Sequence, residues 1–272
     1  MFEKIIGNEE ITSKLEKSIS NNRTSHSYMF IGQEGIGKKI IAKEFAKMLL
    51  CLEQEKYCNK CKSCIEFDSN NHPDFSLIEP EEKKIKIDQI RKIQEKVAER
   101  PIISNRKIYI IDEAEKLTQQ AQNALLKTIE EPPAYAIIML LTANEGMLLP
   151  TIKSRCVTLT MKPVPLPLIR QYLMEELQIP DYRADICAAF SQGNVGKAKR
   201  LALSDSFGEM LEHALHMVKY ISEMEPSDLV EDLKKINTYK MDIQDYLDLL
   251  TVWYRDVLMF KATCDANNLV FS

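Results

Sequence analysis

A short glycine-rich loop, Gly32–Lys39, constrains the fold of this chain more than any other feature. It reads Gly-Gln-Glu-Gly-Ile-Gly-Lys-Lys and follows an apolar run, Ser27–Ile31, that predicts a β-strand. Behind it, apolar residues spaced four apart, Ile41, Phe45 and Leu49, predict a helix. A strand, a glycine loop and a helix in this order are typical of loops that bind phosphate groups.

The residue types in this loop predict how a phosphate group would be bound. Glycines let backbone N–H groups approach phosphate oxygens, the helix N-terminus adds a favourable dipole, and a lysine neutralises the charge. The residues with these roles are Gly32, Gly35, Gly37 and Lys38. An ordinary glycine turn is the alternative, but the flanking strand and helix favour the phosphate loop.

The eighth position of the loop departs from the pattern. A serine or threonine hydroxyl there would bind Mg²⁺, but this chain has Lys39. An ammonium group has no lone pair for a metal and adds positive charge beside the metal position. We therefore expect damaged hydrolytic geometry, while binding of ATP or ADP, with or without Mg²⁺, stays open.

Polar residues at the ends of two later apolar runs add to this site. Asp112 and Glu113 follow Ile108–Ile111, and in a phosphate-loop ATPase such a pair orients Mg²⁺ and activates water. The alternative is a carboxylate that caps the helix beginning at Ala114. Thr142 ends the next strand, where it is placed to sense a γ-phosphate or is an ordinary strand-end threonine.

A cluster of cysteines predicts a metal site. Cys51, Cys58, Cys61 and Cys64 have the spacing C-x6-C-x2-C-x2-C. Four thiolates suit a tetrahedral, structural Zn²⁺ site with no open position. An iron–sulfur cluster and thiol redox chemistry are the alternatives, although the common iron–sulfur spacing differs from this one.

Outside this cluster, the cysteines and histidines carry no metal pattern. By default, the scattered cysteines are interpreted as buried small hydrophobic residues; they are Cys156, Cys187 and Cys264. His72, which precedes a proline and has no partner histidine, is interpreted as a structural turn residue.

Strands alternate with helices in the first part of the chain and then disappear. Further strands are predicted at Phe75–Ile78, Lys107–Ile111, Ala136–Thr142 and Val157–Thr160. Their near-continuous apolar character predicts an α/β domain with a parallel sheet covered on both faces. Beyond Pro163 the patterns are helical, and the predicted segments are Leu168–Leu177, Tyr182–Ser191, Gly196–Leu203, Phe207–Met224, Pro226–Ile236 and Ile243–Ala262.

Composition limits the setting in which the chain works. The net charge of −4 argues against a protein whose whole surface attracts nucleic acid. No run reaches the roughly 18–20 apolar residues that span a bilayer, and the N-terminus does not resemble a signal peptide. We therefore expect a cytoplasmic protein, where cysteines stay reduced.

Taken in order, several motifs resemble the clamp-loader branch of the AAA+ ATPases. The similarity extends from about Phe2 to Leu203, and the cysteine insert has the position of the zinc module of bacterial clamp loaders. The motifs are Ser25–Phe30, His72–Asp74, Asn123–Pro133 and Ser154-Arg155-Cys156. The last two are the most specific.

This resemblance implies three domains: an AAA+ nucleotide-fold domain over residues 1–162 with the zinc module at 51–64, an all-α lid over 163–205, and an all-α collar over 206–272. Because relatives have a longer collar, we expect it to be truncated.

The resemblance also implies a hetero-oligomeric ring with gamma/tau and delta subunits that loads a sliding clamp on primed DNA. In that family the arginine of Ser154-Arg155-Cys156 acts in trans at the neighbour's ATP.

Two departures indicate a subunit that does not hydrolyse ATP itself. One is Lys39, and the other is Gly196, where ATP-hydrolysing members carry an arginine. Lys197 is a candidate substitute for that arginine. A catalytically active clamp-loader ATPase is one alternative, and a zinc-containing DNA-binding regulatory protein is another.

Overall fold

In the computed structural model, the chain forms two compact units, residues 1–162 and 163–272. It describes residue 2 and residues 5–53, 58–221 and 243–265, with the single positions 224, 225, 227, 230, 234, 269 and 270. Most of the predicted helix Pro226–Ile236 lies outside these residues. None of the described helices is long and apolar enough to cross a membrane.

The first unit is built on a parallel sheet of five strands in the order β2-β3-β4-β1-β5. The strands are β1 Ser27–Ile31, β2 Phe75–Ile78, β3 Lys107–Ile111, β4 Ala136–Thr142 and β5 Val157–Thr160. All five have the predicted bounds. Strand β1 pairs with β4 on one side and with the edge strand β5 on the other, so the phosphate loop follows an interior strand of the sheet.

Helices connect these strands and cover the sheet. They are α1 Glu9–Ser20, α2 Lys38–Leu50, α3 Lys62–Asp68, α4 Ile87–Ala98, α5 Gln119–Glu130 and α6 Pro150–Lys153. Two short 3-10 helices lie at Ala114–Lys116 and Glu145–Met147. Helices α3 and α6 and the 3-10 helix at Glu145–Met147 were not predicted from the sequence, and the helix expected to begin at Ala114 is a single 3-10 turn.

Buried strands explain why the apolar runs are continuous. Alternate residues of β3 face opposite sides, so that Ile108 and Ile110 join one core cluster, whereas Tyr109 and Ile111 join the other. Helices α1 and α2 pack into the first cluster, and α4 and α5 pack into the second. A sheet covered on both faces buries every position of its central strands.

The second unit contains only helices among its described residues. They are α7 Leu166–Glu175, α8 Asp181–Ser191, α9 Val195–Leu203, α10 Asp205–Tyr220 and α11 Ile243–Thr263. Gly193 joins α8 to α9 with a φ of +87°, and a Cβ there would lie 2.5 Å from Pro163 Cβ. The helical second part is confirmed, while its division between residues 205 and 206 stays a prediction.

Candidate nucleotide and arginine sites

The glycine loop has the backbone that its sequence predicts. Gly35 and Gly37 have φ values of +81° and +103°, which side chains rarely tolerate. A Cβ on Gly32 would lie 2.9 Å from Ile36 Cγ2. Three glycines are therefore required by the local geometry of the loop, with or without a bound phosphate.

Lys38 folds back over this loop. Its Nζ donates hydrogen bonds to the carbonyl oxygens of Gly32 and Gln33, at 2.6 and 2.9 Å. The residue is 9% exposed, and this burial lowers the pKa of Lys38, although surrounding carboxylates, Glu115 first, oppose the shift. The loop carbonyls thus hold the ammonium group that would otherwise contact phosphate.

Lys39 lies between two carboxylates at the sheet edge. Its Nζ is 3.1 Å from Asp112 Oδ2 and also pairs with Glu79. Partial burial alone would lower the pKa of Lys39, but the hydrogen bonds to Glu79 and Asp112 outweigh it and raise the pKa. An ammonium group therefore occupies a position between carboxylates that would suit a divalent cation.

Glu79 was not predicted, although the sequence held a signal for it. It directly follows β2, and β2 pairs in parallel with β3 so that Ile78 lies opposite Ile111. Glu79 and Asp112 are therefore neighbours at the carboxyl ends of adjacent strands. If β2 and β3 are assumed to pair in parallel, the sequence alone places the carboxylates of Glu79 and Asp112 at the same sheet edge as Lys39.

The other predicted polar residues are held by local contacts. Glu113 accepts two hydrogen bonds of 2.8 Å from Lys116 Nζ, while Asp112 Oδ1 accepts one from the Glu113 N–H. Buried Thr142 accepts a hydrogen bond of 3.1 Å from the Asn144 N–H. The structure gathers Asp112, Glu113 and Thr142 at one sheet edge but engages each within the chain.

Arg155 lies at a different surface of the first unit. Its Nη1 donates to Thr151 O at 3.0 Å and to Ser154 Oγ at 3.3 Å, and its Nη2 is 3.1 Å from Glu130 Oε1. The guanidinium group and Glu130 are each more than two-fifths exposed. Arg155 is thus accessible, and a local ion pair holds it in the isolated chain.

The neighbours of Arg155 differ in accessibility. Ser154 is exposed, and its hydroxyl donates to Thr151 O. Cys156 is half-buried, and this burial raises the pKa of its thiol to about 11. A thiol in this state is a poor nucleophile at neutral pH, so Arg155 is the residue of the triplet whose side chain is both charged and accessible.

The four predicted metal ligands lie together. The sulfur atoms of Cys51, Cys58, Cys61 and Cys64 are all within 4.8 Å of one another. In a tetrahedron with Zn–S bonds of about 2.3 Å, sulfur atoms are about 3.8 Å apart, and Cys51 Sγ is 3.6 Å from Cys58 Sγ. The cluster fits a structural metal ion.

The scattered cysteines have mixed outcomes. Cys187 is buried, as predicted, but Cys264 is exposed, so that prediction was wrong. Cys264 follows the last turn of α11 with a φ of +53°, beyond the residues that pack on neighbouring helices.

His72 connects the cysteine segment to the sheet. Its Nδ1 accepts from the Asp74 N–H at 3.1 Å, so Nε2 carries the proton and lies 2.8 Å from Ser63 Oγ. Ser63 and Ser104 hydroxyls both donate to Leu50 O at 2.7 Å. The structural interpretation of His72 is confirmed, but its role extends beyond a turn because it anchors α3.

The second unit places Lys197 among carboxylates of α11. Its Nζ pairs with Asp248 and lies 3.6 Å from Asp245 Oδ1, while Arg200 also contacts Asp245. Gly196 has no side chain to contribute. Within the described residues of this unit, Lys197 therefore holds α9 to α11.

The fold and the glycine loop define the class of this protein. It is 18% identical to the RuvB Holliday junction branch migration motor of Thermotoga maritima, with a TM-score of 0.51 over 80% of this chain and 66% of that one. At this identity the likeness shows the fold alone. The chain has an α/β fold of the AAA+ type with a helical second part.

Comparison with sequences gives the family. Residues 7–165 match the model described as DNA polymerase III, delta subunit. The Bacillus subtilis DNA polymerase III subunit delta′ is 35% identical over 91% of this chain and 76% of that protein. The tau subunit of the same organism is 31% identical, over 96% of this chain and 50% of that protein. The chain belongs to this DNA polymerase III family and is a clamp-loader subunit of the delta′ type.

Proposed function

We propose that this subunit helps load a sliding clamp on primed DNA, in the cytoplasm, by donating Arg155 to the ATP site of a neighbouring gamma/tau-type subunit. It does not hydrolyse ATP itself. The observation that carries this proposal is the position of Lys39, whose ammonium group pairs with Asp112 and Glu79. Its gamma/tau and delta partners assemble with it into a hetero-oligomeric ring.

The chemistry of Arg155 supports a role in trans. A guanidinium group is always charged and offers several N–H donors in a plane, which suits the charge that develops on a transferring phosphoryl group. Arg155 is exposed on the first unit and is bound by one charged partner, Glu130, among the described residues. An accessible arginine can reach a ligand held by another chain.

The cysteine cluster supports a second element of the proposal, a structural zinc ion. Cys51, Cys58, Cys61 and Cys64 would hold it, and it would supply folding free energy without chemistry at substrate. ATP or ADP can bind at Lys38 without Mg²⁺ between Asp112 and Glu79, where the Lys39 ammonium group lies.

The decisive experiment is Arg155→Ala in a loader reconstituted with gamma/tau and delta subunits. We expect ATP turnover at the bordering site to fall by about tenfold or more, because an arginine supplied in trans contributes strongly to phosphoryl transfer. Arg91→Ala, an exposed arginine on α4, is the matched control and leaves turnover unchanged. Full turnover with Arg155→Ala would refute the proposed role.

A catalytically active ATPase of the gamma/tau type is the second candidate, favoured by the 31% identity to the tau subunit. Steady-state ATP hydrolysis by the purified chain with Mg²⁺ separates the two. Turnover at the rate of a working ATPase, abolished by Lys38→Ala, would establish the second candidate.

A further inference from the structure

Arg155 has two kinds of anchor. Its Nη1 contacts are neutral and lie on its own segment, the Thr151 carbonyl at 3.0 Å and the Ser154 hydroxyl at 3.3 Å. Its Nη2 contact is charged and comes from another element, Glu130 at the end of α5, at 3.1 Å. The contacts with Thr151 and Ser154 can therefore keep the Arg155 side chain oriented while another anion replaces Glu130 as its charged partner.

The ion pair borders an open pocket. Arg155 and Glu130 line it together with Ser25, His26 and Ser27, and its volume is about 510 Å³. The Ser27 hydroxyl is buried without a hydrogen-bond partner among the described atoms. An anionic group can therefore approach the guanidinium from this pocket, but it also approaches the Glu130 carboxylate.

We propose that Glu130 is a latch that competes with the neighbouring subunit's ATP for Arg155, an inference that rests on the proposed trans role. The γ-phosphate carries more negative charge than one carboxylate, so it takes the Nη2 donors and Glu130 is released. Close approach of phosphate and carboxylate is repulsive, since like charges disfavour each other. The latch therefore raises the ATP concentration at which the assembled site is engaged.

Arg155 has two states, one paired with Glu130 and one paired with the neighbouring subunit's ATP. The Glu130 carboxylate stabilises only the first state, so it weakens the binding of ATP. A ligand shifts such an equilibrium by its differential affinity for the two states. Once ATP is bound, Arg155 contacts the phosphate in the same way with or without the latch. Glu130 is thus a positioning residue that alters half-saturation and leaves turnover at saturation nearly unchanged.

Glu130→Gln tests this inference in the reconstituted loader. The amide keeps the size of the side chain but removes its charge. We expect the half-saturating ATP concentration to fall about two- to fivefold, the range that partly exposed ion pairs contribute to an equilibrium, with maximal turnover within a factor of two. Glu131→Gln removes a carboxylate that lines the same pocket and has no ion pair among the described residues; it leaves half-saturation unchanged.

A double-mutant cycle separates this inference from the proposed function. In the Arg155→Ala background, Glu130→Gln should have no further effect on half-saturation. If Arg155→Ala lowers turnover while Glu130→Gln alters nothing or lowers maximal turnover, the latch is refuted and the trans role stands. If Arg155→Ala has no effect, the trans role fails and the latch fails with it.

Discussion

Lys39 is the one residue of the glycine loop that departs from the phosphate-loop pattern. The backbone of Gly32–Gly37 has the required positive φ values at Gly35 and Gly37, and Lys38 is present. The hydroxyl that should follow is missing, and the ammonium group of Lys39 lies 3.1 Å from Asp112 Oδ2. The loop keeps the backbone of a phosphate-binding loop, and an ammonium group stands where that motif has a metal-binding hydroxyl.

Lys39→Thr should restore magnesium dependence to nucleotide binding. Threonine supplies the hydroxyl ligand and frees the Asp112 and Glu79 carboxylates, which are hard oxygen ligands. Isothermal titration with ATP should show affinity strengthened about tenfold or more by Mg²⁺ in the variant, and unchanged by Mg²⁺ in the original chain. Lys43→Thr, another lysine on α2, is the control. Magnesium-dependent binding by the unmodified chain would contradict this account of Lys39.

At this scale the sequence predicted which residues would lie near the loop, but not their partners. Asp112, Glu113 and Thr142 were identified because they lie at the carboxyl ends of continuous apolar strands. Glu79 and Glu130 were missed as partners of Lys39 and Arg155 because these contacts join segments far apart in the chain. Long-range pairing of side chains depends on packing and has no local pattern.

The cysteine segment and helix α3 behave as one element tied to the sheet by buried polar contacts. Ser63, one residue before Cys64, donates to Leu50 O, one residue before Cys51. His72 and Ser104 complete the network, and Asp74 accepts three backbone N–H groups from residues 102–104. These contacts tie both ends of the cysteine segment to the sheet.

Cys64→Ser tests the metal at this element. The purified original chain should contain one zinc per molecule by elemental mass spectrometry, and the variant should contain almost none. A structural zinc contributes folding free energy directly, so the melting temperature should fall by about 5 °C or more. Cys264→Ser, at an exposed cysteine, should keep zinc and stability. Iron in the purified protein would instead support the iron–sulfur alternative.

Strand bounds were predicted correctly because buried parallel strands are uninterrupted apolar runs ended by polar residues. Helix ends were less accurate: the helix predicted over Leu168–Leu177 spans Leu166–Glu175. Pro167 lies in its first turn, where the missing N–H of a proline costs no helical hydrogen bond. The prediction had placed this proline before the helix.

At the scale of the whole molecule, the first unit carries the predicted phosphate loop, the cysteine cluster and Arg155, while Lys197 lies in the second unit. Both core clusters of its sheet consist of residues between Phe2 and Met161. The strand pattern predicted from the sequence ends near Pro163, and the first compact unit ends at Lys162. A self-contained core of this size is expected to be independently stable.

A fragment of residues 1–162 should therefore fold without the second unit. We expect one cooperative thermal transition, near-ultraviolet circular dichroism from packed aromatic residues such as the Tyr28–Phe45 pair, and full zinc content. The full chain measured in parallel is the reference. A fragment with helical signal but no cooperative transition would show that the first unit depends on the second.

Because the cation beside Asp112 is joined to the backbone through its own side chain, a chelator cannot extract it and dilution cannot empty its position. The electrostatic balance of this loop should consequently be the same in cells rich or poor in magnesium. Such a subunit would offer its neighbours a surface of constant charge while their own sites fill and empty.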